Sequence, residues 1–219
     1  MAKAPVVEEK ELRHVIKVAA AVSEFPERDT ALLYVLYGTG AMLTELASLT
    51  VRDYLTETGA VIEEGQWRPE IAYNNRARPL FWVNTKVVGS VDAYLEARLK
   101  RGHGITTRTA AYRGLDPDSP LVLRDDGQPY QLTKRVTRAG AVSYSCDSLS
   151  QRFRKLHAQA GVEGANALAA RRTFAVRLAR KGFDLRHIAE LLGHASLTAT
   201  KRLVDEDPIR LGDIVAGVI

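Results

Sequence analysis

From Asp147 to Val204 apolar-periodic segments alternate with single glycines, and this punctuation leaves little choice beyond several short helices packed on one another. One helix is expected to run to residue 160, with Ser148 and Ser150 as candidate caps and Gly161 as its stop. A second covers 165–181 and ends at Gly182. Asp184 caps a third over 185–192, closed by Gly193, and Ser196 caps a fourth over 197–204. Pro208 then opens an amphipathic segment, 208–219, with Leu211, Ile214, Val215, Val218 and Ile219 on one stripe.

The first half is mixed. Helical spacing is read over 8–22, 27–37, 43–48 and 85–101. Short strands are read at 54–55, 61–62, 71–73 and 79–83, with Gly59, Gly65 and Asn74-Asn75 as turns, giving one small antiparallel sheet. Residues 102–118 are polar and turn-rich and are expected to form an exposed loop, 120–123 a buried segment, 131–139 a short helix, and 140–146 irregular chain. The expected fold class is α+β, mainly α, with a small antiparallel sheet on a helical core and 1–219 as a single domain. A hydrophobic share of 46% and a charged share of 26% suit such a core and exclude a disordered or fibrous chain. No apolar run approaches the roughly 18 residues that span a bilayer, and the N-terminus has no signal-like apolar stretch, so a cytoplasmic protein is expected. One cysteine, Cys146, and five scattered histidines point to no metal and no cofactor.

Charge is distributed unevenly. Residues 1–129 carry 16 Lys/Arg and 18 Asp/Glu, whereas 130–203 carry 14 and 4, a net of +10. Such a block is the footprint of a polyanion-binding surface, or a solvated basic helical face.

Two stretches carry a resemblance. Thr39-Gly40-Ala41-Met42-Leu43-Thr44-Glu45-Leu46-Ala47-Ser48-Leu49 is similar to the T-G-x-R-x-x-E-L-x-x-L box of the tyrosine recombinase (phage integrase) family. Arg171-Arg172-Thr173-Phe174-Ala175, followed by Leu191-Leu192-Gly193-His194-Ala195-Ser196 and Thr200, resembles the family's H-x-L-R-H-T-F-A and L-L-G-H-x-S-x-x-x-T segments. The likeness covers about 8–217 and implies the family's catalytic-domain fold, without its separate N-terminal core-binding domain. It also implies a chemistry. A tyrosine attacks a DNA phosphate and displaces a 5′ oxygen. Two arginines stabilise the charge that develops on the nonbridging oxygens, a hairpin lysine protonates the leaving oxygen, and histidines position or shuttle protons.

Taken position by position, most of that machinery is replaced. The first arginine falls on Met42, the histidine that opens the second box on Leu168, and the histidine after the second arginine on Arg172. The nucleophile position, nine residues after His194, is Leu203, and no tyrosine follows Tyr144. No lysine occurs between Lys17 and Lys86, and an arginine on the hairpin is too basic to act as a general acid. Arg171 and His194 remain as remnants. Arg171 is read as a phosphate contact or a salt-bridge or capping residue, and His194 as a structural cap or a functional group. Glu45 is expected to pair or pack structurally, and Met42 and Leu168 to fill apolar space.

The resulting expectation is a catalytically inactive recombinase-like protein, an accessory or regulatory factor in DNA recombination of a mobile element. Its partner would be double-stranded DNA, bound weakly and mainly through phosphates by Arg76, Arg78, Lys134, Arg135, Arg152, Arg154, Lys155, Arg171, Arg172, Lys201 and Arg202. A second partner would be an active recombinase, or another copy of the chain, docked through 208–219. The alternatives are an interaction module that no longer binds DNA, and a strand transferase with Ser, Thr or an upstream Tyr as nucleophile.

Overall fold

The computed structural model describes residues 4–136, 140 and 142–205. Helix α1 (Glu9–Val22) starts where the Glu11 carboxylate accepts from the Glu8 amide at 2.8 Å, and it buries Leu12, Val15 and Ala19. Helix α2 (Pro26–Thr39) has proline in its first turn and ends at Gly40, whose φ of 66° is the left-handed conformation that glycine adopts without strain. Its run Ala31-Leu32-Leu33 with Val35-Leu36 is buried almost all round, which makes α2 the central helix of the core. Helix α3 (Leu43–Ser48) follows, then an antiparallel ribbon of β1 (Glu64–Trp67) and β2 (Arg78–Phe81) that sets Trp67 opposite Arg78.

The Asn84 side chain accepts from the Lys86 and Val87 amides and so caps α4 (Thr85–Arg101), which packs on α2. Strands β3 (Thr133–Val136) and β4 (Val142–Ser145) form a second antiparallel ribbon. Four helices follow: α5 (Asp147–Gln159), α6 (Ala167–Arg180), α7 (Leu185–Leu192) and α8 (Leu197–Val204). Helix α6 crosses α2, and α8 packs on both α6 and α7. Beside the main core, Ala175, Ile188 and Leu192 form a smaller cluster that Leu203 and Val204 cover.

The mainly helical reading and the α+β class agree with this architecture. Four local expectations do not. The described strands form two separate two-stranded ribbons instead of one sheet, and the 54–55 and 61–62 segments meet only in a single bridge between Leu55 and Val61. Residues 71–73 form a turn, because the Tyr73 amide donates to the Glu45 carboxylate instead of to a neighbouring strand. Residues 133–136 are strand, and 142–145, expected to be irregular, are their partner. The 102–118 loop is not wholly exposed: Leu115 is buried and bridges to Ile105. The expected 208–219 docking helix lies outside the described residues. Among the described residues no helix is long and apolar enough to cross a membrane.

Candidate functional site

The two sequence boxes meet where the N-terminus of α3, the end of β2 and the C-terminus of α7 converge. Glu45, in the first turn of α3, is fully buried, and its carboxylate accepts four hydrogen bonds. Two come from the amides of Met42 at 2.7 Å and Tyr73 at 3.1 Å. The other two come from Arg78, whose planar fork donates Nη1 to Oε1 at 2.6 Å and Nη2 to Oε2 at 2.7 Å. The third Arg78 nitrogen donates to the Leu191 carbonyl at 3.0 Å, and the guanidinium lies 4.6 Å from the Trp67 ring centroid. Arg78 is therefore a buried cation with a partner on each of its three nitrogens rather than a surface one.

Arg171, one helical turn into α6, is also buried. It donates to the carbonyls of Gly40 at 2.8 Å and Leu192 at 2.5 Å, which tie the ends of α2 and α7 together. Cations at helix C-termini are favourable, because the last carbonyls lack partners within the helix. The Tyr73 ring covers the guanidinium at 4.9 Å. Burial pulls the Arg171 pKa down, and the Glu45 charge works against that shift. His194 follows Gly193, and its Nδ1 shares a 2.8 Å hydrogen bond with the fully buried Thr200 hydroxyl. Burial, then the charges of Arg171 and Arg78, push its pKa down to about 4, so the imidazole is neutral at physiological pH.

Met42 is half-buried at the start of α3. Leu203 packs on the Ala175, Ile188 and Leu192 cluster, and its carbonyl accepts from Arg172 Nε at 3.1 Å. Arg172 also donates to the Ala4 carbonyl at 2.7 Å, so it joins α8 to the N-terminal segment. Leu168 departs from expectation: it lies on the first turn of α6 and is 51% exposed, so it fills no apolar space in the pocket.

The eleven basic side chains expected at DNA divide by environment. Arg78, Arg171 and Arg172 are buried with their donors engaged as above. Arg152 donates to both oxygens of the wholly buried Asp29, which Arg28 also holds. A buried carboxylate requires such partners, which turns Arg78 and Arg152 inward, whereas Arg171 and Arg172 turn inward to backbone carbonyls near helix ends and in the N-terminal segment. Arg76, Lys134, Arg154, Lys155, Lys201 and Arg202 are exposed, as is Arg135, whose guanidinium pairs with Asp147. Sequence reasoning missed Tyr73 and Asn74, which the 71–77 turn brings to the junction; Asn74 Nδ2 donates to the Gly193 carbonyl at 2.5 Å. Asn74-Asn75 signalled a turn, but nothing local signalled what that turn would meet. Among the described residues no group of three or more His, Cys, Asp or Glu could hold a metal ion.

Comparison with known proteins follows the same lines. Residues 138–208 match the family model for the phage integrase family. The chain is 32% identical to the tyrosine recombinase XerC of Roseiflexus castenholzii over 184 residues, 82% of this chain and 48% of that protein. It is 29% identical to XerC of Agrobacterium fabrum over 209 residues, 92% of this chain and 55% of the relative. The chain thus spans about half the length of the curated relatives it matches. Among solved structures, XerA recombinase superposes with a TM-score of 0.70 at 21% identity, covering 99% of this chain and 64% of that one. XerH recombinase bound to its difH substrate gives 0.65 at 18% identity, covering 98% and 53%. A lambda integrase dimer bound to a core site gives 0.62 at 12% identity, covering 95% and 50%. With 32% identity to a tyrosine recombinase over 82% of the chain and the helical scaffold shared, the chain belongs to the tyrosine recombinase (phage integrase) family, at its catalytic domain.

Proposed function

We propose that the protein is a non-catalytic, DNA-binding accessory or regulatory factor in DNA recombination of a mobile element, built as one domain on the recombinase catalytic fold. The observation that carries this reading is the closed junction at the former active site. The Arg171 fork at the retained clamp position bonds two backbone carbonyls, the neighbouring Arg78 fork bonds Glu45, and the nucleophile position is a leucine packed in an apolar cluster. Transition-state stabilisation needs donors aimed where charge will develop, and here both terminal Arg171 nitrogens are tied to backbone carbonyls.

DNA contact is supported by relatives that act on DNA, by the +10 block and by the exposed cations Arg76, Lys134, Arg154, Lys155, Lys201 and Arg202. Phosphate contacts of this kind position a protein on the duplex and carry little sequence information. Salt titration of duplex binding tests the reading: log Kd should change with log salt by about 0.9 per phosphate contact. Alanine at Lys201 and Arg202 should weaken all sequences alike, and absence of duplex binding at low salt would refute it.

A second reading keeps chemistry and rests on Tyr73, which is 44% exposed with its ring over Arg171. In it the Tyr73 hydroxyl replaces the missing nucleophile. No lysine occurs between Lys17 and Lys86 to protonate a leaving oxygen, and Arg78 is closed off by Glu45, so the non-catalytic reading is preferred. Covalent trapping with Tyr73→Phe as the control separates the two.

A further inference from the structure

We infer that the β3–β4 ribbon is a DNA-groove reader, with its outward face laid into the major groove; the inference rests on the DNA-binding reading above and names the element that carries it. The register sets Lys134 opposite Tyr144 and Val136 opposite Val142. Directly opposed residues share a face, and residues two apart along a strand share it too, so these four side chains form one surface. That surface is open: Val136 is 61% exposed, Val142 52% and Tyr144 57%.

The other face is polar and tied down. Arg135 donates Nε to the Ser145 hydroxyl at 2.9 Å and Nη2 to both Asp147 oxygens at 2.9 and 3.0 Å, which anchors the ribbon to the start of α5. Strand β4 also lies against α3, whose first turn carries Glu45, so the ribbon rises beside the former active site.

A two-stranded ribbon with an apolar face in water is marginal alone, so this face calls for a partner. Charge selects which. Residues 130–160 carry six Lys/Arg and one acidic residue, so a second copy would bring like charge onto like charge. Duplex DNA matches the whole pattern. Its major groove admits a two-stranded ribbon and presents thymine methyl groups to apolar side chains. The phosphates on its walls suit Lys134 and the exposed Arg154 and Lys155 of α5.

The test measures binding of the full chain to an A·T-rich duplex by fluorescence anisotropy across a salt series from about 50 to 200 mM. The triple variant Val136→Ser, Val142→Ser, Tyr144→Ser changes only exposed side chains, and its thermal midpoint checks the fold. It should bind about tenfold more weakly with an unchanged salt slope, because the lost contacts are not ionic. Lys134→Gln should instead lower the slope by about 0.9. Replacing thymine by uracil should weaken the wild type and leave the triple variant unaffected, because only the C5 methyl groups are removed. Wild-type binding that neither the triple variant nor uracil changes overturns the ribbon assignment and leaves DNA binding standing. Failure of the wild type to bind any duplex overturns both. A concentration-dependent dimer that the triple variant abolishes, with DNA affinity intact, assigns the face to a second copy and also overturns the proposal.

Discussion

Glu45 decides the character of the junction. A wholly buried carboxylate has to be matched by a cation and by hydrogen bonds, and Arg78 supplies the cation from 33 residues away. Arg78→Met leaves that charge uncompensated and should cost about 3–5 kcal/mol. Adding Glu45→Gln should return part of the loss, because the charge is gone and the amide oxygen still accepts from one of the two backbone amides, Met42 or Tyr73, that the carboxylate holds on separate oxygens. Urea unfolding of the two single variants and the double variant measures the coupling; a purely additive cycle would mean that the pair is not the organising contact.

His194 gives the junction a pH signature. Its folded-state pKa lies below its unfolded value, so the unfolded chain binds the extra proton. Stability from this residue is fully present above about pH 6.5 and is lost as pH falls towards 4. Burial also lowers the His157 pKa, which adds in the same direction. His194→Gln should flatten the dependence of unfolding free energy on pH between about 4 and 6.5 without abolishing it. An unchanged profile would show that His194 is not held neutral by its surroundings. At this scale the half-buried place of Met42 and the packing of Leu203 on an apolar cluster agree with apolar residues at those two positions. The inward turn of Arg78, Arg152, Arg171 and Arg172 was not legible, because each answers an acceptor far away in sequence.

Among the elements, α7 is held at its C-terminus by Arg78, Arg171 and Asn74, which bond the carbonyls of Leu191, Leu192 and Gly193. Gly193 is the close point of this clamp. Its φ is +67°, and a Cβ there would lie 2.8 Å from the Arg78 Cδ. Gly182 also has positive φ, at +83°, but a Cβ there meets nothing within 4 Å. Alanine at 182 should therefore cost about 1 kcal/mol of backbone strain. Alanine at 193 should cost about 1–3 kcal/mol more, because the pinned Arg78 cannot give way. Equal thermal shifts for the two variants would contradict the clamp. Helix punctuation was readable in part, because capping is local: Asp184 accepts from the Arg186 amide and Gly193 closes α7, as the sequence implied, but Cys146 stands at the N-cap of α5 in place of Ser148 or Ser150, and Ser196 starts α8 without a side-chain cap bond. Strand 133–136 was not readable, because Thr-Lys-Arg-Val fits a helix turn as readily, and its pairing with 142–145 is what makes it a strand.

Across the whole molecule, the family scaffold is kept, and we propose that its chemistry is withdrawn. Glu45, Arg78 and Arg171 bond the ends of α2, α3, β2 and α7 into one joint. Leu203→Tyr alone should therefore restore no strand cleavage. The phosphate would still meet Met42 in place of one clamp, Arg171 with both terminal nitrogens tied to backbone carbonyls, and no hairpin lysine. The most direct test incubates the wild-type chain with a pool of nicked suicide duplexes of random sequence and looks for a denaturation-resistant protein–DNA adduct by gel and mass spectrometry. No adduct should form with the wild type or with Leu203→Tyr. A covalent adduct with the wild type, above all one lost in Tyr73→Phe, would contradict the account.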